Sequence, residues 1–260
     1  MTDLREPPTP SPTPAPVAPP AAEPRRHVRR EVRRRESTAH RRRRRALLGG
    51  GGVMVTVGLV LLGVVLWQFL GTNWLSKGRQ AEAVAAVEES WGQGSTTSST
   101  DWGTVEALLR IPRFGEDYVV PVLAGSSDDV LAAGVGHLEE TADAGEVGNY
   151  VLAGHRVTNG EPFADFPTLR EGDLVEVETR DAVHLYELTN GGSELIVDFT
   201  ADWVLDPRPV NPDPTGVTAP LTGPQDRLIT LLTCSEIFHT DNRSVTFGRL
   251  VETVPKVPAA

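Results

Sequence analysis

Between Ala46 and Leu70 the chain runs for 25 residues without a charged side chain, ALLGGGGVMVTVGLVLLGVVLWQFL, and this stretch limits the fold more than any other feature. A helix rising about 1.5 Å per residue would make it roughly 38 Å long, enough to cross a hydrocarbon core of about 30 Å with some tilt. A buried core helix and a cleavable signal peptide are the alternatives. A signal h-region takes only about 7 to 15 residues, and its n-region is not a 45-residue tail rich in Pro and Arg. AEA at Ala81–Ala83 is the one cleavage-like feature. The stretch predicts an uncleaved transmembrane helix over residues 46–70.

Charge orients that helix. Residues 1–45 hold 13 Arg against five acids, a net of +8, so the total of −10 leaves −18 on the rest of the chain. Shortly after the apolar run stand Lys77 and Arg79. The positive-inside rule therefore predicts a cytoplasmic N-terminus and an extracellular remainder, with Trp67 and Trp74 suited to the outer interface. Residues 1–45 read as a disordered Pro/Arg-rich cytoplasmic tail, whose first 24 or so residues offer almost nothing to bury. Its arginines suit anionic lipid headgroups, at about 1 kcal/mol per basic residue near the surface. Because they abut a membrane span, nucleic acid is not expected as a partner.

An exterior location gives meaning to the cysteine count, which is one. A lone Cys234 cannot form an intramolecular disulfide, so a domain of about 150 residues must be held by its apolar core. The thiol is then either a small buried hydrophobe or a chemical group.

Residues 71–104 read as a stalk: KGRQAEAVAAVEESW has apolar residues at helical spacing, and GQGSTTSST (Gly92–Thr100) has the composition of a flexible linker. Residues 105–254 form the main domain and 255–260 a C-terminal tail. In that domain EALLRIP, DYVVPVLAG, NYVLAGH, DLVEVET, HLYELT, ELIVDF, RLITLLTC and SVTFGRLVETV are eight candidate strands. Their number and length predict a mainly all-β fold, one closed or nearly closed eight-stranded β-barrel. DDVLAAGVGHL and EPFADFPTLREG read as short helical connections.

The strand Leu228–Cys234 is apolar on both faces, as a central buried strand is, and must emerge at a barrel rim. Eight residues separate Cys234 from Arg243, after which a strand pattern resumes. A loop of that length turns the chain back antiparallel and starts the next strand beside the cysteine. NYVLAGHR is a second apolar run, ending in Gly154-His155. A thiolate can attack a carbonyl, an imidazole can hold or deliver the proton, and a fixed cation can stabilise the oxyanion. Each residue also has a bland reading: a lone histidine on a strand is commonly structural, and an arginine after a loop is commonly a solvated charge. Arg249, on the same strand face as Arg243 if the alternation is regular, is the alternative cation.

TLLTC (Thr230–Cys234) resembles the TLxTC signature of the sortases, membrane-anchored cysteine transpeptidases of Gram-positive bacteria. AGHR (Ala153–Arg156) with Pro162-Phe163 is similar to their histidine motif. LRIPRFG, GVGHLEETADAGEVGN and an arginine nine residues past the cysteine make the likeness closest to class E, the housekeeping type of actinobacteria, over roughly Leu109–Val254. The resemblance implies an eight-stranded sortase barrel in which Cys234 attacks the Thr–Gly bond of an LAxTG- or LPxTG-type C-terminal sorting signal on a secreted protein. It implies a thioester resolved by an amine of a peptidoglycan precursor, with His155 as acid and base and Arg243 on the substrate carbonyl or oxyanion. It calls for no metal or organic cofactor.

The chain departs from class E directly after the cysteine, where Ser235-Glu236 stands in place of a His-Pro or Asn-Pro pair. His137 is expected to be structural or loop-positioning, and His184 and His239 exposed. Glu139, Glu140, Asp143 and Glu146 have the chemistry of Ca²⁺ ligands, but their spacing fits no defined calcium loop and they read as a solvated face. Two rival functions remain on the sequence. One is a non-catalytic anchored barrel that binds the wall or acts as a scaffold; the other is a thiol redox protein, which lacks a second cysteine to resolve a disulfide.

Overall fold

A computed structural model describes residues 25–67, 71–235 and 241–256 of the chain. Two compact units divide at residues 61 and 62. The first is helical: α1 (Arg25–Leu66) is continuous from the arginine-rich stretch into the apolar run. Residues 25–45, expected within an unstructured tail, are thus helical; Arg, Glu and Ala are good helix formers, and a helix already nucleated extends at low cost. Leu47–Leu66 is long and apolar enough to cross a membrane, and none of it is buried in protein. The Pro-rich residues 1–24 and the end of the apolar run at 68–70 lie outside the described residues.

After the last residues of α1, the second unit holds α2 (Thr72–Gly92) and the strands β1 (Ser98–Thr100), β2 (Gly103–Arg110), β3 (Val120–Ala124), β4 (Val135–His137), β5 (Gly148–Ala153), β6 (Leu174–Glu178), β7 (Ala182–Leu188), β8 (Leu195–Asp198), β9 (Arg227–Cys234) and β10 (Asn242–Pro255), with a short α3 (Asp128–Ala133) between β3 and β4. Eight of these strands close a ring. The hydrogen-bonded order β2-β3-β4-β5-β9-β10-β7-β6 returns to its start because β6 pairs with β2. β1 lies outside the ring on β2, and β8 outside it on the first half of β10. Most pairings are antiparallel, but β3–β4 and β5–β9 are parallel.

The expected eight-stranded barrel is therefore present, with one exchange among its members. ELIVDF forms β8, off the ring, whereas the ring strand β4 comes from DDVLAAGVGHL, expected to be a helical connection throughout. That segment is a helix only to Ala133; Gly134, a poor helix interior residue, ends it and VGH pairs with β3 and β5. EPFADFPTLREG holds a single 3₁₀ turn, Phe166–Thr168.

Strand alternation sorts the core into two sides. Tyr150 and Leu152 of β5, Ile229 and Leu231 of β9, and Val175, Val177, Tyr186 and Leu188 of β6 and β7 point into the barrel. Leu228 of β9, with Val245 and Phe247 of β10, packs on Leu195, Val204 and Ala219 outside it. The β8–β9 connection is thereby a lid of packed chain over the outer face of β9. Asn149 fixes it: its amide nitrogen donates to the carbonyls of Val204 at 3.1 Å and Asp206 at 3.0 Å, and its oxygen accepts from Thr230 Oγ1 at 2.7 Å.

The segment expected as a stalk packs on the barrel. Ala83 and Val87 of α2 are fully buried against Val105, Leu108, Leu123 and Val130. Their spacing, with Ser76 and Gln80, keeps one face of the helix inward over its whole length. The linker composition at 92–100 also misleads, since Ser98–Thr100 pairs with Gly103–Val105.

Candidate active site

Cys234 is the last residue of β9 and is half-buried. By strand alternation its side chain shares the outer face with Leu228 and Leu232, beneath the β8–β9 connection. In the antiparallel register Cys234 stands directly opposite Arg243 of β10. The Ser235 amide donates to the Asn242 carbonyl at 3.2 Å, flanking that pair on its open side. Cys234 and Arg243 are therefore a non-hydrogen-bonded pair, the narrower kind, with Cα atoms about 4.5 Å apart and both side chains on one face.

His155 reaches the same end by the parallel pairing. β5 and β9 run in register to Ala153 opposite Leu232. His155 lies two residues past the end of β5, as Cys234 lies two past Leu232 on β9, so both stand at the same end of the barrel. Two bonds hold the diverging ends together beyond the ladder: the Gly154 amide donates to the Leu232 carbonyl at 3.2 Å, and Thr233 Oγ1 donates to the Gly154 carbonyl at 2.7 Å. Arg156 adds a third, from its guanidinium to the carbonyl of Ser235. Histidine and cysteine strands are thus tied on both sides of the pair.

Local packing aims the histidine. A Cβ at Gly154 would stand 2.7 and 2.9 Å from the ring of Phe163, so only glycine lets the strand pass this close. The Phe163 amide in turn donates to the His155 carbonyl at 3.0 Å. Burial lowers the His155 pKa below 6.5, with the charge of Asp128 acting in the opposite direction. Its Nε2 lies 3.1 Å from the side-chain amide of Asn159.

Arg243 is half-buried, its Nη1 donating to the Asn242 carbonyl at 3.0 Å. Its charge, after two hydrogen bonds from Thr200, helps hold the Asp198 carboxylate below the usual range. Arg249 does share the face of Arg243, but it pairs with Leu228 at the opposite end of β9, about 20 Å along the strand. Exposed and bound to Glu187 at 3.1 Å, it stands away from the thiol. The other histidines lie elsewhere. His137 is buried, between Glu106 Oε1 at 2.5 Å and the Ala142 carbonyl at 3.1 Å, and so steadies the β4–β5 connection. His184, expected to be exposed, is half-buried, its ring packed at Gly145 and its Nδ1 3.2 Å from Thr253 Oγ1. Its strand puts it under that connection. His239 and Glu236 lie outside the described residues.

Asn159, Thr233 and Arg156 were not singled out by the sequence. Thr233 and Arg156 sit inside the two motifs; Asn159 carries no signal beyond a polar residue before a glycine.

A closed barrel with cysteine, histidine and arginine strands meeting at one end defines a class of protein, and the comparisons identify it. The family model described as "Sortase domain" matches residues 109–251. Sortase SrtE1 of Streptomyces coelicolor is 34% identical over 216 residues, 78% of this chain and 57% of that relative, and Sortase SrtE2 of the same organism is 25% identical over 214 residues, 77% and 80%. Among solved structures, Sortase E1 from Streptomyces coelicolor superposes with a TM-score of 0.50 at 36% identity, covering 61% of this chain and 94% of the other. Sortase E from Streptomyces avermitilis does so with a TM-score of 0.50 at 33% identity, covering 60% and 93%. The chain belongs to the sortase family, and its likeness within it is to class E. It spans little more than half the length of SrtE1.

Proposed function

We propose that the chain is a membrane-anchored cysteine transpeptidase that joins secreted proteins to the cell wall. The observation that carries this reading is the narrow cross-strand pair of Cys234 and Arg243 with the His155 strand tied alongside. Sortase E1 of Streptomyces coelicolor was solved with a tripeptide in its active site. That likeness supports a peptide segment as substrate, here a C-terminal LAxTG- or LPxTG-type sorting signal.

In the first half-reaction the Cys234 sulfur attacks the carbonyl carbon of the Thr–Gly bond, and the thiol proton passes to neutral His155. Arg243 turns from its own strand to the carbonyl oxygen as negative charge builds there. The C–N bond breaks, and His155 returns the proton to the departing glycine amine. The acyl group remains on sulfur as a thioester. In the second half-reaction an amine of a peptidoglycan precursor attacks that carbonyl, losing its proton to His155. The C–S bond breaks, His155 returns the proton to the Cys234 sulfur, and a new amide forms. The apolar helix Leu47–Leu66 would hold the domain at the membrane, and the arginine-rich side would face the cytoplasm.

The test is cleavage of fluorogenic LAxTG and LPxTG peptides by the full chain in detergent, with a small amine as acceptor. The reading expects Thr–Gly cleavage and transfer to the amine. A folded chain whose thiol alkylates but which turns over neither peptide would favour a wall-binding scaffold.

A further inference from the structure

The loop that follows His155 adopts an unusual path. Asn159, Gly160 and Glu161 have φ of 55°, 80° and 52°, three successive residues in the left-handed region, which glycine and asparagine visit readily but glutamate rarely. Such a path persists only if its surroundings fix it. Here they belong to α2. Asn73, in the first turn, donates from Nδ2 to Glu161 Oε1 at 2.6 Å and accepts the Gly160 amide on Oδ1 at 3.0 Å. Two turns further on, buried Gln80 lies with its amide against Gly160 and donates to the Asn159 carbonyl at 3.5 Å. The loop so held presents the Asn159 side-chain amide to His155 Nε2 at 3.1 Å.

An amide suits this task through a full catalytic cycle. Turned so that its oxygen faces the ring, it accepts from Nε2–H whether the ring is neutral or an imidazolium, which leaves Nδ1 as the nitrogen that takes and returns a proton. It fixes the ring plane in both states without a charge of its own.

We infer that Asn159 is a positioning residue for His155, and that α2 sets it through Asn73, so that the helix following the membrane span belongs to the catalytic apparatus. This rests on the reading of His155 as the acid and base. The helix that composition marks as a spacer is, on this account, a brace for the imidazole. Breaking the Asn73 contacts alone would leave the barrel closed but the ring loose.

The experiment uses the full chain in detergent micelles and compares wild type with Asn159→Gly, Asn159→Asp, Asn73→Ala and His155→Ala. Asn159→Gly removes the amide while allowing positive φ, so the fold is kept. Two readouts apply: the pH dependence of Cys234 alkylation by iodoacetamide, and kcat and KM on an LAxTG peptide. Asn159→Gly is expected to lower kcat by about tenfold or more, with KM within about twofold, since misplacement of a catalytic group acts on the chemical step. Asn73→Ala should move kcat in the same direction by less. Asn159→Asp sets a carboxylate beside the ring, which favours the imidazolium, and should move the His155 limb of the alkylation profile to higher pH. Asp128 acts on the same ring and is left unchanged in all variants. If His155→Ala alters the alkylation profile but neither Asn159 variant alters profile or kcat, the inference is overturned. If His155→Ala leaves the profile unchanged, the histidine is not coupled to the thiol and the parent reading fails instead.

Discussion

Arg243 faces Cys234 across the narrow kind of antiparallel pair, while Arg249 on the same strand faces Leu228 and binds Glu187. Two arginines of one strand are thus separated by register into a residue beside the thiol and a surface ion pair. Arg243→Ala is expected to lower kcat about 10²- to 10³-fold, the usual effect of removing an oxyanion donor. Arg249→Ala should leave kcat within about twofold and stability within about 0.5 kcal/mol, because exposed ion pairs contribute little. Steady-state kinetics of the two variants checks this, and the reverse order would reassign the cation.

The acid limb of activity should lie below the pH at which a free imidazole protonates. Burial lowers the His155 pKa from 6.5 and Asp128 opposes the shift, so the ring stays neutral, and able to take the thiol proton, as pH falls past 6.5. Asp128→Asn removes the opposing charge and should move that limb still lower. Folding responds in the same window: below about 6.5 the unfolded ring takes a proton before the folded one, so stability falls as pH drops through the folded value. A pH–rate profile of kcat/KM for both proteins measures the limb, and an upward move on Asp128→Asn would contradict the assignment.

Gly154→Ala places a methyl into the ring of a fully buried Phe163, which also holds the His155 carbonyl. Such overpacking typically costs about 1 to 3 kcal/mol. Denaturant unfolding should show that loss and kinetics a fall in kcat; a variant unchanged in both would mean that the close passage of strand and ring is unimportant.

Val87 distinguishes a packed helix from a free stalk. It is fully buried between α2 and the barrel, so Val87→Asp should destabilise the second unit by about 3 kcal/mol or more, through an unpaired buried charge. Thermal unfolding of the full chain reads this directly; tolerance of the aspartate would restore the stalk.

Much of the site was legible because it lies on strand ends. Leu228–Cys234 is apolar on both faces, which marks a central strand, and the short return to Arg243 leaves antiparallel pairing as the outcome. His155 was placed by NYVLA, whose pattern is equally plain. What stayed hidden depends on contacts between distant segments. Val135–His137 is too short to show alternation and becomes a ring strand only by pairing with β3 and β5. α2 has good helical spacing, but half its inward face is polar, Ser76 and Gln80, and Gln80 meets a loop and not a core. Asn159 sits on a positive-φ loop whose partners, Asn73 and Gln80, lie 86 and 79 residues earlier in the chain.

The most direct measurement is the intact mass of the full chain after incubation with an LAxTG-type peptide without acceptor amine, for wild type and for Cys234→Ala. A mass increase equal to the acyl portion ending in threonine, reversed by hydroxylamine and missing in a Cys234→Ala protein that melts within a few degrees of wild type, is the expected result. An adduct that persists in the alanine variant, or a folded wild type that forms none while releasing no glycine peptide, would contradict it.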